Sequence, residues 1–199
     1  MSNSPPPRVA FQGEHGAFSE DAAVRLLGLE IQLVPRRTFE TLFTSLDEGL
    51  AEYVLVPVEN SLIGAIKPAV DLLNKSCLDI VGEVAIPIRQ LLIGCPGAAF
   101  EEIVTVESHP AALAQCKRFF AAHPGIKRVE TEDTAGSVAR IIKGHDRTRA
   151  AIAGRRAAQI YGGSILRENL EDRPENYTRF LLLSGHNCSN GQPARKVQD

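Results

Sequence analysis

The sequence predicts an α/β fold made of repeated strand–helix units. Short apolar runs of strand-like composition alternate, from Arg8 onward, with segments whose apolar residues recur every three to four positions. Loops rich in Gly, Ser, Thr and Asn connect the two kinds of segment. A chain of 199 residues can bury a substantial core, either as one domain or as two lobes of roughly 100 residues each.

The first strand is predicted at Val9–Gln12. The helix after it is expected to take Ser19 as its N-cap and to stop at Gly28. A second strand is predicted at Ile31–Val34. The next helix should bury one apolar face, which consists of Phe39, Leu42, Phe43, Leu46 and Leu50.

The middle of the chain contains a strong strand at Tyr53–Val58, followed by a helix around Ala65–Leu73. Residues Ile80–Ile93 form two apolar stretches with Pro87 between them. A proline is unfavourable inside one continuous central strand, because it cannot donate to the ladder. We therefore predict that the chain crosses between two lobes near Pro87.

The second half repeats the alternation. A strand at Ile103–Val106 is followed by a helix that starts at Ser108–Pro110 and runs through Phe120. Lys127–Glu130 is predicted as a strand, and Asp133 with Thr134 should cap a helix that runs toward Ile142.

The last predicted elements are a strand at Ala150–Ala153, a helix to about Tyr161, and a short buried strand ending in Leu181–Leu183 that could return to the first lobe. We expect a first lobe of residues 8–86 plus 175–185 and a second of residues 87–174. Residues 1–7 and 186–199 are expected to be flexible tails.

Composition argues against several classes of protein. A formal net charge of −2 gives no overall field that would hold nucleic acid. No stretch is apolar enough to span a membrane. The cysteines show no C-x-x-C pair and the histidines no ligand spacing, so we expect a cytoplasmic protein without a metal site.

Four loops are candidates for binding an anion, because each follows a predicted strand and opens a helix, where backbone N–H groups point outward. They are Gly13–Ser19, Asn60–Gly64, Ser108–Pro110 and Asp133–Ala135. Taken one at a time, each loop is better explained as an ordinary helix cap. Neither a nucleotide-binding glycine motif nor G-x-S-x-G occurs.

Arg179 lies inside an otherwise apolar predicted strand. A guanidinium there must find an anionic partner or reach a ligand. An ion pair across a lobe boundary and a site role remain equal alternatives on spacing alone.

Five segments, in this order, resemble the prephenate dehydratase family over about residues 8–185. They are Gln12-Gly-x-x-Gly16 with Ser19-Glu20, Pro57-Val-Glu-Asn-Ser61 with Gly64, Ser108-His-Pro110 with Leu113-Ala-Gln-Cys116, Asp133-Thr-Ala135, and Asn176-x-Thr-Arg-Phe180. The resemblance implies two α/β lobes like those of type II periplasmic binding proteins, with the active site in the cleft between them. It also implies conversion of prephenate, a dicarboxylate, to phenylpyruvate, water and carbon dioxide in phenylalanine biosynthesis, without a cofactor or metal.

The resemblance assigns residue roles as well. It implies that Thr178 is catalytic and assists departure of the ring hydroxyl. The residues expected to bind substrate or to shape its site are Asn60, Ser61, Ser108, Thr134, Arg179 and Phe180. We further expect a homodimer or higher homo-oligomer, and no ACT-type regulatory domain after Gly185. Two alternatives stay open: an arogenate dehydratase, and a two-lobed module that binds a small anion without chemistry.

Overall fold

A computed structural model describes residues 5–185, which divide into two compact units. The first unit contains residues 5–13, Ser19–Ile86 and 177–185, and the second contains Glu14–Phe18 and Pro87–Asn176. Each unit has its own β-sheet covered by helices, so the predicted α/β class is confirmed. Of the predicted flexible tails, residues 1–4 and 186–199 lie outside the described part of the chain.

The elements alternate along the chain as an α/β fold requires. The strands are β1 (Arg8–Gln12), β2 (Gln32–Arg36), β3 (Tyr53–Asn60), β4 (Gly64–Ala65), β5 (Asp79–Pro87), β6 (Leu91–Gly94), β7 (Thr105–Ser108), β8 (Lys127–Glu130), β9 (Arg149–Ala153), β10 (Ser164–Arg167) and β11 (Tyr177–Ser184). The helices are α1 (Phe18–Leu27), α2 (Phe39–Asp47), α3 (Lys67–Lys75), α4 (Pro110–Ala114), α5 (Lys117–Ala122), α6 (Ala135–Gly144) and α7 (Arg155–Tyr161). A short 3-10 helix covers Phe100–Glu102.

The sheet of the first unit has the order β2-β1-β3-β11-β5 among the described residues, and β4 pairs with β3. β1 lies parallel to both β2 and β3, whereas β11 runs antiparallel to β3. This register sets Thr178 opposite Asn60 and Arg179 opposite Glu59. The last described strand, β11, is therefore an internal strand of the sheet that contains the first strand, β1.

The sheet of the second unit has the order β10-β6-β9-β7-β8 in the described part of the chain. β7 is parallel to β8 and β9, while β6 pairs antiparallel with β9 and β10. Its strands β6 and β9 are almost fully buried, with Leu92 and Ile152 at 0 % exposure. Burial on both faces explains why these strands read as continuous apolar runs rather than as alternating patterns.

Three of the local predictions are wrong. α1 begins at Phe18, so Ser19 is a buried helical residue and not the cap. A turn closed by Ala17 N–H on the Glu14 carbonyl, at 3.1 Å and with Gly16 at a left-handed φ of 87°, precedes the helix. α2 ends at Asp47, and Leu50, beyond the left-handed Gly49, is 40 % exposed instead of packing in the core.

The third wrong prediction is a single helix from Ser108–Pro110 through Phe120. Two helices, α4 and α5, replace it, with a break at Gln115 and Cys116. The Asp172 carboxylate explains the break, because it accepts the N–H groups of Lys117 and Arg118, both at 2.9 Å, and so caps α5 from a distant segment. The strands β4 and β10 were not predicted at all.

The buried cysteines give a prediction for thiol chemistry. Burial raises the pKa of the Cys116 thiol to about 12, with the carboxylates of Asp172 and Glu171 adding to the effect. Burial also raises the pKa of Cys95, whereas Cys77 is exposed. Because the thiolate is the reacting form, a Cys77→Ser/Cys188→Ser variant should be inert to Ellman's reagent at pH 8 until it is unfolded. Restoring Cys77 should restore fast labelling; labelling of the folded double variant would contradict the burial of Cys95 and Cys116.

Candidate functional site

Thr178 and Asn60 form a directly bonded pair in the first unit. They are partners in the β3–β11 ladder, and Asn60 Nδ2 donates to Thr178 Oγ1 at 2.9 Å. Both side chains are buried, with 5 % of Asn60 and 8 % of Thr178 exposed. Since the threonine oxygen accepts this bond, the threonine O–H proton can be directed to another oxygen atom. The pair can thus act as an oriented hydrogen-bond donor.

The loop after Asn60 is fixed by backbone and side-chain bonds to β11. Ser61 N–H donates to the Tyr177 carbonyl, and Ser61 Oγ accepts from Tyr177 N–H, both at 2.9 Å. Asn60 Oδ1 accepts from Leu62 N–H at 3.0 Å, which is a tight Asx-type turn. The start of β11 is therefore tied to the loop through the backbone and the side chain of Ser61, and the Asn60 amide is oriented within the loop.

Arg179 is ion-paired within its own unit. Its Nε lies 3.2 Å from Glu59 Oε2 on β3, and its Nη1 lies 3.7 Å from Glu83 Oε2 on β5. Of the two alternatives for Arg179, the structure shows the ion pair with acidic side chains of the protein. Both partners lie on neighbouring strands of the same sheet, and not in the other unit. With 32 % of its side chain exposed, the guanidinium joins three strands directly beside Thr178.

Phe180, the last residue of the T-R-F segment, is a core residue. It is 2 % exposed, and the ladder register shifts between Arg179 and Phe180. A local irregularity of this kind re-aims the side chains next to it. Whether Arg179 or Phe180 contacts a substrate stays a prediction; their observed contacts are with the protein.

In the second unit, Ser108 is fully buried and its hydroxyl donates to the Ile152 carbonyl at 2.6 Å. This bond ties the end of β7 to β9. It also uses the single proton of the hydroxyl, which a substrate carboxylate would need because a carboxylate only accepts. The predicted contact of Ser108 with a substrate carboxylate stays a prediction, and the structure leaves its hydroxyl proton engaged with the protein.

Thr134 occupies the N-cap of α6 but makes no side-chain capping bond. Asp133 does the capping instead, because its Oδ1 accepts from Gly136 N–H. A Cβ on Gly136 would lie 2.6 Å from Asp133 Oδ2, so this cap requires glycine there. Capping by Asp133 leaves the half-buried Thr134 hydroxyl at the positive end of the helix.

Gln115 was not predicted as a site residue, although it belongs to the segment Leu113–Cys116 on which the family resemblance partly rests. It follows α4 and is half-buried. Its Oε1 accepts from Gln90 Nε2 at 3.3 Å and from Asn176 Nδ2 at 2.9 Å. Because both donors hold the amide oxygen, the NH₂ group of Gln115 points away from Gln90 and Asn176. Gln115 can therefore offer a hydrogen-bond donor in a fixed direction.

The structure thus brings Asn60, Ser61 and Thr178 together in the first unit, and places Ser108, Gln115 and Thr134 in the second. That both sets serve one substrate stays a prediction. Across residues 5–185, every helix falls short of the length or apolar character needed to cross a bilayer.

Comparison with known proteins identifies the family. The model of the prephenate dehydratase family matches residues 9–188. An Arabidopsis thaliana protein named arogenate dehydratase/prephenate dehydratase 2, chloroplastic, is 39 % identical over 184 residues, which cover 92 % of this chain and 48 % of the relative. The chain spans about half the length of the curated relatives it matches.

Two solved structures have the same fold. The structure of prephenate dehydratase from Arthrobacter aurescens in complex with L-Phe has a TM-score of 0.82 at 28 % identity, over 94 % of this chain and 62 % of the other. A structure described as GqqA, a novel type of quorum quenching acylases, has a TM-score of 0.81 at 31 % identity, over 94 % of this chain and 67 % of the other. With a family model that matches nearly the whole described chain, this protein belongs to the prephenate dehydratase family.

Proposed function

We propose that this chain is a prephenate dehydratase, a carbon–oxygen lyase that forms phenylpyruvate, water and carbon dioxide in phenylalanine biosynthesis. Family membership supports the reaction class. The observation that carries the proposal is the buried bond from Asn60 Nδ2 to Thr178 Oγ1, which orients a hydroxyl donor.

The reaction asks little of the protein in covalent terms. The ring carboxylate of prephenate leaves as carbon dioxide, the electrons of the broken C–C bond enter the ring, and the ring C–O bond breaks as aromaticity forms. The departing hydroxyl gains a proton and leaves as water. The protein must align these bonds and stabilise charge on the departing oxygen.

Thr178 is proposed to stabilise the departing oxygen by donating a hydrogen bond. A threonine hydroxyl is a poor acid, so hydrogen-bond donation suits it better than complete proton transfer. Asn60 supports this role, since its amide holds the threonine oxygen from the other side. Donors that face developing charge in a dry site are among the largest single contributions to catalysis.

The remaining residues are proposed to hold the substrate. Ser61, Thr134 and Gln115 carry donor groups suited to carboxylate oxygens. Ser108 supports its strand end through the Ile152 carbonyl. Arg179 and Phe180 are proposed to shape the site from behind Thr178, through the ion pairs and core contacts described above. No cofactor and no metal are part of the proposal.

The choice of substrate is tested by assaying prephenate and arogenate side by side. Arogenate carries an amino group where prephenate carries a keto group, so its product is phenylalanine instead of phenylpyruvate. We expect phenylpyruvate from prephenate, detected by its absorbance in alkali. Turnover of arogenate alone would make the chain an arogenate dehydratase. Tight binding of either compound without product would favour the non-catalytic module.

A cytoplasmic location and a homodimer or higher homo-oligomer also belong to this proposal. The cysteines within residues 5–185 are unpaired, which supports a reducing compartment. β5 ends the order of the first sheet and exposes Ile80 and Val81, which supports association through that edge. Light scattering after size-exclusion chromatography should give a mass of at least two chains; a monomer at micromolar concentration would contradict the expectation.

Replacing Arg179 by lysine should lower kcat/KM by about tenfold or more. An ammonium group is a point charge and cannot bridge Glu59 and Glu83 as the guanidinium does, so the strand beside Thr178 should lose its fixed position. Steady-state kinetics with prephenate measure the effect, and the exposed Arg25→Lys on α1 is the matched control. Unchanged kinetics would show that the arginine has no part in the site.

A further inference from the structure

Buried amide groups connect the two places where the chain enters and leaves the second unit. Gln90 is 2 % exposed and Asn176 is 0 % exposed. The segments are joined by the bond from Ile88 N–H to the Asn176 carbonyl at 2.8 Å. Buried polar groups are costly unless they are bonded, so a buried amide pair of this kind specifies a definite arrangement.

Both amides donate to the same atom. Gln115 Oε1 accepts from Gln90 Nε2 at 3.3 Å and from Asn176 Nδ2 at 2.9 Å. A carboxamide is planar, with its oxygen and its NH₂ on opposite sides of the terminal carbon. Fixing the oxygen therefore fixes the direction of the NH₂ group. Rotating the amide would set Gln115 Nε2 against two other NH₂ groups and lose both bonds.

The two donors and the receiving residue are themselves held in place. Gln90 N–H donates to Glu171 Oε2 at 2.8 Å, and Arg89 Nη1 lies 3.2 Å from Glu171 Oε1. The Gln115 carbonyl accepts from Asp172 N–H at 2.7 Å. Glu171 thus fixes the backbone of Gln90, and Asp172 fixes the backbone of Gln115, on the two sides of the bond between their amides.

The hydrogen bond from Gln90 to Gln115 leaves the other polar atom of the Gln90 amide without a partner in the described part of the chain. Within the described residues, Gln90 Oε1 is the buried side-chain oxygen without a hydrogen-bond partner. Proteins usually avoid such an atom. Gln90 is therefore oriented by what its NH₂ group donates to, and not by the needs of its own oxygen.

We propose that Asn176 and Gln90 are positioning residues, whose amide donors hold the Gln115 carboxamide with its NH₂ group toward the substrate. The inference rests on the proposed function and deepens it. It gives Asn176 a role distinct from that of Thr178, although only Tyr177 separates them in sequence.

Asn176→Asp tests the proposal, because a carboxylate oxygen replaces the NH₂ donor with nearly the same shape. The Gln115 amide must then turn or lose its bond, and we expect KM for prephenate to rise about tenfold with kcat little changed, as for a lost binding contact. Gln90→Met removes one donor and the unpartnered oxygen together. It should raise KM about threefold without lowering Tm, and the exposed Gln159→Met should change neither.

A double-mutant cycle separates positioning from general damage. If Asn176 acts through Gln115, adding Asn176→Asp to Gln115→Ala should leave KM as it is in Gln115→Ala alone. Additive effects would overturn the proposal, as would an unchanged KM in a folded Asn176→Asp. Should Asn176→Asp fail to fold, Gln90→Met decides by the same criteria.

Binding measured by calorimetry in a Thr178→Ala background keeps this test apart from that of the proposed function. There the dissociation constant for prephenate should rise by the same factors as KM, even if the wild-type chain shows no turnover. A wild type without turnover would reject the dehydratase alone. An Asn176→Asp affinity equal to that of its parent would reject the positioning role alone.

Discussion

Thr178→Ala is expected to lower kcat by about 10²- to 10³-fold, the usual loss for one transition-state donor. The variant removes the hydroxyl that Asn60 Nδ2 contacts at 2.9 Å. Folding should be intact, because the backbone bonds between β3 and β11 do not involve the side chain. Single-turnover and steady-state kinetics with prephenate measure the change, and the melting curve measured by circular dichroism shows whether the fold is kept.

Two further substitutions at this position sharpen the result. Thr178→Ser keeps the hydroxyl and should retain most of the turnover, whereas Thr178→Val keeps the shape without the hydroxyl and should be as poor as alanine. Thr44→Ala, on the exposed side of α2, is the control for loss of a threonine elsewhere. Full turnover by Thr178→Val would remove the hydroxyl from the mechanism.

Phe180→Ala is expected to cost about 3–5 kcal/mol in the free energy of unfolding, the range for deleting a buried aromatic ring. Phe180 is 2 % exposed and lies in β11, inside the sheet of the first unit. Urea denaturation followed by circular dichroism measures the loss. Any fall in activity below the transition should then be smaller than that of Thr178→Ala.

Tyr177→Ala is the matched control for Phe180→Ala, because Tyr177 lies in the same strand and is 44 % exposed. It should cost about 1 kcal/mol or less, as surface substitutions usually do. If Phe180→Ala unfolds no more easily than Tyr177→Ala but loses activity, Phe180 acts on the substrate and not on the core.

Local patterns were sufficient to predict much of the fold. Lys127–Glu130 is a strand with the predicted bounds, because four residues between turn signals leave little choice. The break at Pro87 separates β5 from β6, as the missing N–H of proline requires. Gly28, with φ of 83°, follows the end of α1 at the predicted place, since glycine adopts that conformation without strain.

The features that were missed depend on residues far away in the chain. The break before α5 depends on the Asp172 carboxylate, 55 positions from Lys117. An ion pair of Arg179 was anticipated, but its partners lie on neighbouring strands and not across a lobe boundary. Their place depends on the register of β3, β11 and β5, which no local pattern contains. Gln115 shows its distinctive amide geometry only when Gln90 and Asn176 lie beside it.

The place of β11 between β3 and β5 has a consequence for synthesis of the protein. The ribosome releases β3 and β5 long before β11, and the intervening segment supplies almost all of the second unit. Until residues 177–185 emerge, the first sheet lacks the strand between β3 and β5, and Asn60 lacks its contact with Thr178. Nascent chains that stall before this strand should therefore be inactive, and their exposed strand edges should make them clients for chaperones.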